Sequence, residues 1–311
     1  MLVIFIVVAM FLMETMVFAA GSTTVRILSP ANFSVLPFYW MQKVGEPAGV
    51  QLEIVLSPDH MRSLSLLSTG HGEYLITGLN VGAKAYNKGV AIQLENVNAW
   101  TLDYVVANNA KVQSWRDLIG KKVALPLQGG PLDFLVQYLV KRERIAADQI
   151  QFVYAPVPQA VQLFNLGQID AAVLPEPSVT QLLTNNTKAN LAIDVQKEWG
   201  KWHGGEDIIP YVGLFVNQTW AQKNSELATS IATAYIKGVA WLNANPKQAA
   251  QLGSEVLGLP ESVIVEALQR VSLDVPSRAT TKRVVDEHLR EMLEFSPELV
   301  GDKVPDAGFY R

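Results

Sequence analysis

The residues of this chain offer little for covalent chemistry and a good deal for holding a small molecule. There is no cysteine, which excludes thiol nucleophiles, disulfides, cysteine-ligated zinc and iron–sulfur clusters. The four histidines are scattered, and no nucleophile–base pair stands out among them. His203-Gly204-Gly205-Glu206-Asp207 gathers metal-ligating types. Its spacing matches no helix-borne site and its glycine pair describes a loop, so no metal is expected there. No cofactor is expected either, and nothing marks the chain as an enzyme. What remains are hydrogen-bonding and aromatic side chains beside glycines and prolines at the ends of apolar runs, a pattern suited to orienting a solute.

Six places carry that pattern. Ser29–Ser34 follows an apolar run and supplies Asn32 and Ser34; Thr77–Asn80 follows another and supplies Thr77 and Asn80. All four are also ordinary turn formers. Leu127–Pro131 contains Gly129 and Gly130, which let a ligand approach the backbone, and free amide hydrogens ahead of a helix favour anions. Two details oppose the anion: Pro131 lacks an amide hydrogen, and Asp133 places a carboxylate in the first turn, where it can instead complement the helix dipole. Glu176, set between Pro175 and Pro177, is suited to a pocket rim or to capping the helix that follows. Trp100 and Tyr211 are candidate ring-stacking partners. The expected solute is uncharged or amine-bearing, with a planar or apolar part.

These residues sit in a regular alternation of elements. Thr24–Ser29, Val50–Ser57 and Glu73–Thr77 read as strands, with helices over Pro37–Val44 and Asp59–Thr69 between them. The order repeats: strands over Lys122–Pro126, Gln151–Ala155 and Asp170–Leu174, helices over Leu132–Glu143 and Pro158–Leu166. Such βαβ units predict mostly parallel sheets flanked by helices. A weak internal echo supports duplication: Gly70 three residues before Glu73, and Gly167 three before Asp170, each ahead of a strand. Leu102–Asn108 and Tyr211–Asn217 then read as two strands crossing between lobes. From Trp220 onward the pattern is helical, with stripes over Glu226–Asn243, closed by Pro246, and over Lys282–Glu294. The lobes are expected at 20–108 with 211–311, and at 109–210. A length of 311 residues suffices for two such bodies.

The amino terminus differs from the rest. Met1–Met13 is continuously apolar, too short for a membrane span of about 20 residues. Val17 and Ala19 sit where a signal peptidase reads small residues, which predicts a cut after Ala19 and a signal segment of 1–19. No Lys or Arg precedes the run, which leaves an uncleaved anchor as the alternative. Without a cysteine after the cut there is no lipid anchor, so the expected place is a periplasm. The net charge of −4 is spread along the chain, and without a basic stripe no nucleic-acid partner is expected.

Three stretches resemble the nitrate/sulfonate/taurine-type family of ABC transporter substrate-binding proteins. Ser114–Pro126 (SWRDLIGKKVALP) is similar to that family's opening of the second lobe. Leu166–Pro177 (LGQIDAAVLPEP) is similar to its G-x-x-D-A-x-x-x-x-E-P segment, and Lys303–Tyr310 to its common carboxyl termini. The resemblance implies a two-lobed type II periplasmic-binding fold that closes on a solute about a two-strand hinge. It also implies an ABC permease and its ATPase as partners, with the binding protein itself expected to be a monomer. Enzymes of cofactor-precursor metabolism share the architecture, as do ligand-sensing domains. The lack of cysteine and the export signal argue against the enzymes, and the lack of an attached DNA-binding or signalling segment against a sensor.

Overall fold

The computed structural model describes residues 23–57, 60–146 and 148–311; the expected signal segment and its cut after Ala19 lie outside the described residues. β-branched, alternating sequence forms β1 (Thr23–Ser29), β2 (Val50–Leu56) and β3 (Tyr74–Gly78), joined by α1 (Leu36–Val44) and α2 (His60–Ser68). The chain continues through α3 (Leu79–Asn87) and β4 (Ile92–Thr101), then passes at Leu102 into β5 (Asp103–Ala107). A second unit follows: β6 (Lys122–Leu125), α4 (Pro131–Arg142), β7 (Gln151–Tyr154), α5 (Val157–Asn165), β8 (Ala171–Pro175), α6 (Ser178–Asn185), β9 (Asn190–Asp194) and α7 (Val195–Gly200). The return strand is β10 (Val212–Asn217). After it come α8 (Gln218–Lys223), α9 (Ser225–Ala244), α10 (Pro246–Leu257), α11 (Glu261–Leu268), β11 (Ser272–Leu273) and α12 (Arg278–Phe295).

The two sheets share one topology. The first runs β11-β4-β10-β3-β1-β2 and the second β7-β6-β8-β5-β9. In each, three parallel strands are followed outward by one antiparallel crossing strand, β10 in the first and β5 in the second. Each crossing strand therefore lies in the sheet opposite to the strand that leads into it, which ties the two lobes together by two hinge segments.

The duplication extends to single hydrogen bonds. The Arg26 amide donates to Glu73 Oε2 at 2.6 Å, and the Lys122 amide to Asp170 Oδ2 at 2.9 Å. Each acid returns its own amide to the same partner's carbonyl, and each offers its carbonyl to the end of a crossing strand, Asn217 and Asn108. The acid ahead of the third strand thus clamps the start of the first. Gly70 and Gly167 precede these acids with φ of +76° and +66°, a left-handed backbone that glycine adopts without strain. The echo in the sequence is this clamp.

Among the described residues the apolar core has three parts. Two of them each cover one face of a sheet, around Val25, Ile27 and Tyr235 in the first lobe and around Val106, Ala172 and Phe164 in the second. The third runs between the lobes, joining Phe134, Leu135 and Tyr138 of α4 to Val285, Leu289 and Met292 of α12. Phe134 packs edge-on against Phe295 at 5.5 Å between centroids.

Three expectations need correction. Leu79 and Asn80 belong to the first turn of α3 rather than to a loop, with Gly78 as the residue before it. Pro246 does not merely close α9; it opens α10, where the missing amide hydrogen costs nothing. Strands β4 and β9 escaped the alternation pattern altogether. β4 places Glu95, Asn96 and Asn98 in a buried strand whose register against β10 slips twice.

Candidate ligand-binding site

In open α/β sheets the carboxyl ends of the parallel strands carry the functional loops. Here those ends from the two lobes meet. The Asn80 side-chain amide, at the start of α3, donates to the Gly129 carbonyl at 3.0 Å and to the Leu299 carbonyl at 3.3 Å. A Cβ at Gly78 would lie 2.9 Å from the Pro131 ring, so only glycine allows this approach of the β3 end to α4. Thr77 is buried beside it. Thr77, Asn80, Gly129 and Gly130, predicted from separate motifs, are thereby assembled into one place.

The loop before α4 has few groups left to offer an anion. The Gly129 amide donates to Asp133 Oδ2 at 2.8 Å and the Gly130 amide to the Leu127 carbonyl at 2.9 Å; Pro131 has none. The second oxygen of Asp133 accepts from the Tyr154 hydroxyl at 2.8 Å. Burial, followed by this bond, pushes the Tyr154 hydroxyl up to about 12. Asp133 is thus an internal brace of the loop, which holds Gly129 where Asn80 reaches it.

Glu176 caps. Its carboxylate accepts the Thr180 amide at 3.0 Å and the Thr180 hydroxyl at 2.9 Å, satisfying the open end of α6. Burial raises its pKa, while Thr180 and Arg270 act the other way. Arg270, just after α11, reaches Thr180 Oγ1 at 2.6 Å and Glu176 at 3.4 Å, and its carbonyl accepts the Tyr104 hydroxyl at 2.9 Å. This is a second bridge between lobes.

Tyr211 lies in the hinge. Its hydroxyl donates to Gln196 Oε1 at 3.1 Å and lies against the Asp103 carboxyl. Gln196 also exchanges bonds of 3.0 and 2.9 Å with the Asp103 backbone, fixing α7 to the start of β5. Asp103 is buried, and desolvation carries its pKa to about 7, with the Glu176 charge adding to the rise and Tyr211 opposing it. Trp100 stands apart, its indole donating to the Asp274 carbonyl at 2.9 Å. Asn32 accepts the Ser34 amide at 3.1 Å and caps a short turn, and the Ser34 carbonyl accepts the Tyr235 hydroxyl. Sequence reasoning missed Asp103, Gln196 and Arg270. Asp103 carries a local signal, an acid inside an apolar strand; the other two carry none.

Two facing α/β lobes with this strand order, joined by two crossings, define the periplasmic-binding-protein fold. An ABC transporter protein from Parabacteroides distasonis shares it at TM-score 0.74 and 20% identity, over 93% of this chain and 99% of that one. The periplasmic aliphatic sulphonate binding protein SsuA of Escherichia coli is similar at TM-score 0.73 and 18% identity, over 91% and 95%. The alkanesulfonate-binding protein SsuA of Xanthomonas axonopodis pv. citri, bound to MOPS, is similar at 0.72 and 16%, over 90% and 96%. No curated protein sequence matches the chain. The chain belongs to the NMT1/THI5-like family, whose model matches residues 32–249.

Proposed function

We propose that this protein is the exported solute-binding component of an ABC importer, a monomer that holds a small organic molecule between its lobes and passes it to a permease and its ATPase. The observation that carries the reading is the meeting of the strand-end loops from both lobes at Asn80, Gly129, Gly78 and Pro131. A ligand placed there touches both halves, so binding and lobe closure are one event. The similar folds of sulfonate-binding and ABC transporter proteins support the same reading. The lobe boundary expected at 108 moves back to Leu102, because β5 pairs with β8 and β9 of the second sheet; the lobes are assigned to 20–102 with 211–311, and to 103–210. The mature protein starts at Ala20, free in the periplasm, and binds rather than catalyses.

The solute is uncharged or amine-bearing. From Gly129 to Pro131 no amide hydrogen remains for an oxyanion, and the carboxylates of Asp133 and Glu176 flank the loops. A thermal-shift screen of nitrate, sulfate, a sulfonate that lacks an amine, taurine and amine-bearing planar compounds tests this. A ligand at 100 times its dissociation constant stabilises by about 2.7 kcal/mol, an unmistakable shift. Micromolar binding of nitrate, sulfate or a sulfonate that lacks an amine refutes the ligand class; amino-terminal sequencing of periplasmic extract checks the cut.

A further inference from the structure

Beside the hinge, away from the meeting loops, a cavity of about 570 Å³ opens between the two lobes. Trp199 and Glu206, from α7 and the segment after it, form one wall; Trp100, Asp274 and His288, from β4, the β11–α12 segment and α12, form the other. We propose that this cavity is a second ligand site, one that takes a planar organic cation. The proposal goes beyond the solute-capture reading and does not depend on it.

Three observations carry it. His288 contributes to the wall, is 3% exposed, and has no hydrogen-bond partner for either ring nitrogen among the described residues. Buried polar atoms are ordinarily paired, and leaving them unpaired is costly; this wall therefore encloses a donor and an acceptor that the fold itself does not use. The ring is uncharged, because burial holds its pKa down to about 3, and it therefore does not repel a cation.

The second observation is charge. Glu291 faces His203 Nε2 at 2.8 Å, and Glu287 pairs with Arg283 at 2.9 Å. Among the described residues Glu206 and Asp274 form no ion pair, and Arg290 is the remaining wall cation. The wall therefore carries an excess of acid, in a partly enclosed space where charges act more strongly than in water.

The third is shape. Trp100 and Trp199 are each 4% exposed yet border the cavity, with Pro210 and Pro276 beside them. Indole and proline edges suit a flat apolar body, although one face of Trp199 is already taken by His203, stacked on it at 3.7 Å. Because the walls belong to both lobes, an occupant also favours the lobe arrangement described above.

The test uses benzamidinium, a flat aromatic cation, against benzoate, a flat anion of like size. Tryptophan indole N–H signals are followed by NMR, with Trp100→Phe and Trp199→Phe for assignment. Benzamidinium is expected to move the Trp100 and Trp199 signals and to leave the Asn80 side-chain amide in place, while benzoate binds at least tenfold more weakly. Glu206→Gln, on an exposed residue that leaves the fold intact, should weaken benzamidinium about threefold, and His288→Phe should weaken it as well in protein that melts cooperatively. Equal binding of benzoate, or indifference to both substitutions, overturns the proposal. So does the absence of binding at about 10 mM probe, well above the dissociation constant of a well-matched fragment. Shifts confined to Asn80 and Gly129 also overturn it, while leaving solute capture at the meeting loops standing.

Discussion

Replacing His288 by phenylalanine should make the protein more stable, and increasingly so in acid. The imidazole is enclosed by the rings of Phe134 at 5.6 Å and Trp199 at 5.4 Å, and among the described residues neither nitrogen finds a partner. An unpaired buried polar group costs about 1–3 kcal/mol. Phenyl removes that penalty, and its slightly larger ring returns roughly 1 kcal/mol as overpacking. The net expectation at pH 7.5 is a gain of about 0–2 kcal/mol. The pH dependence follows from the depressed pKa of about 3, against 6.5 for a free imidazole. Between these values the unfolded chain binds a proton that the folded one refuses, so wild-type stability falls as pH drops through this window. Relative to phenylalanine, the difference should widen by about 2 kcal/mol between pH 6.5 and 4.5. Urea unfolding of both proteins at pH 7.5, 6.5 and 4.5 measures it. A variant less stable at pH 7.5, or a difference that stays constant with pH, refutes the reasoning, since either result means the ring is bonded or already charged in the folded state.

Two other perturbations follow from the buried carboxyls and the clamps. Asp103 has the opposite sign to His288: its pKa is raised to about 7 by burial, so the folded protein holds a proton that the unfolded chain has lost, and stability declines as pH rises from about 4 to 7. Asp103→Asn should remove this decline and gain on the order of 2 kcal/mol at pH 8 relative to pH 5, read by urea unfolding at both. Glu73→Ala and Asp170→Ala each leave a strand amide, Arg26 or Lys122, without its acceptor. Each should cost about 1–2 kcal/mol, with Glu73 the costlier because its bond is half-buried. The double variant should be additive within about 0.5 kcal/mol because the clamps lie in different sheets; strong non-additivity in the denaturant midpoints would show that the two sheets are not independently clamped.

The sequence alone determined the repeated strand–helix order, because apolar period is a local property that each element carries within its own residues. It also located the crossing strands: β5 and β10 are apolar on both faces, and they stand where one repeat ends and the other resumes. The Gly70–Glu73 and Gly167–Asp170 echo was legible for the same reason. β4 was not, since Glu95, Asn96 and Asn98 break its alternation. Tertiary structure accommodates them, with Arg311 across Glu95 at 2.8 Å and Asn98 donating to Asn96 at 3.1 Å. The candidate site divides along the same line. Its glycines, prolines and amides announced themselves at strand ends, while their roles depended on partners far along the chain. Asp133 is taken up by Tyr154, Glu176 by Arg270 across the lobes, and Tyr211 by Gln196. Trp100, Trp199 and His288 share a cavity only because α12 folds back over α7. Local patterns specify which surfaces seek burial; only the packing of one lobe on the other decides which polar groups those surfaces enclose together.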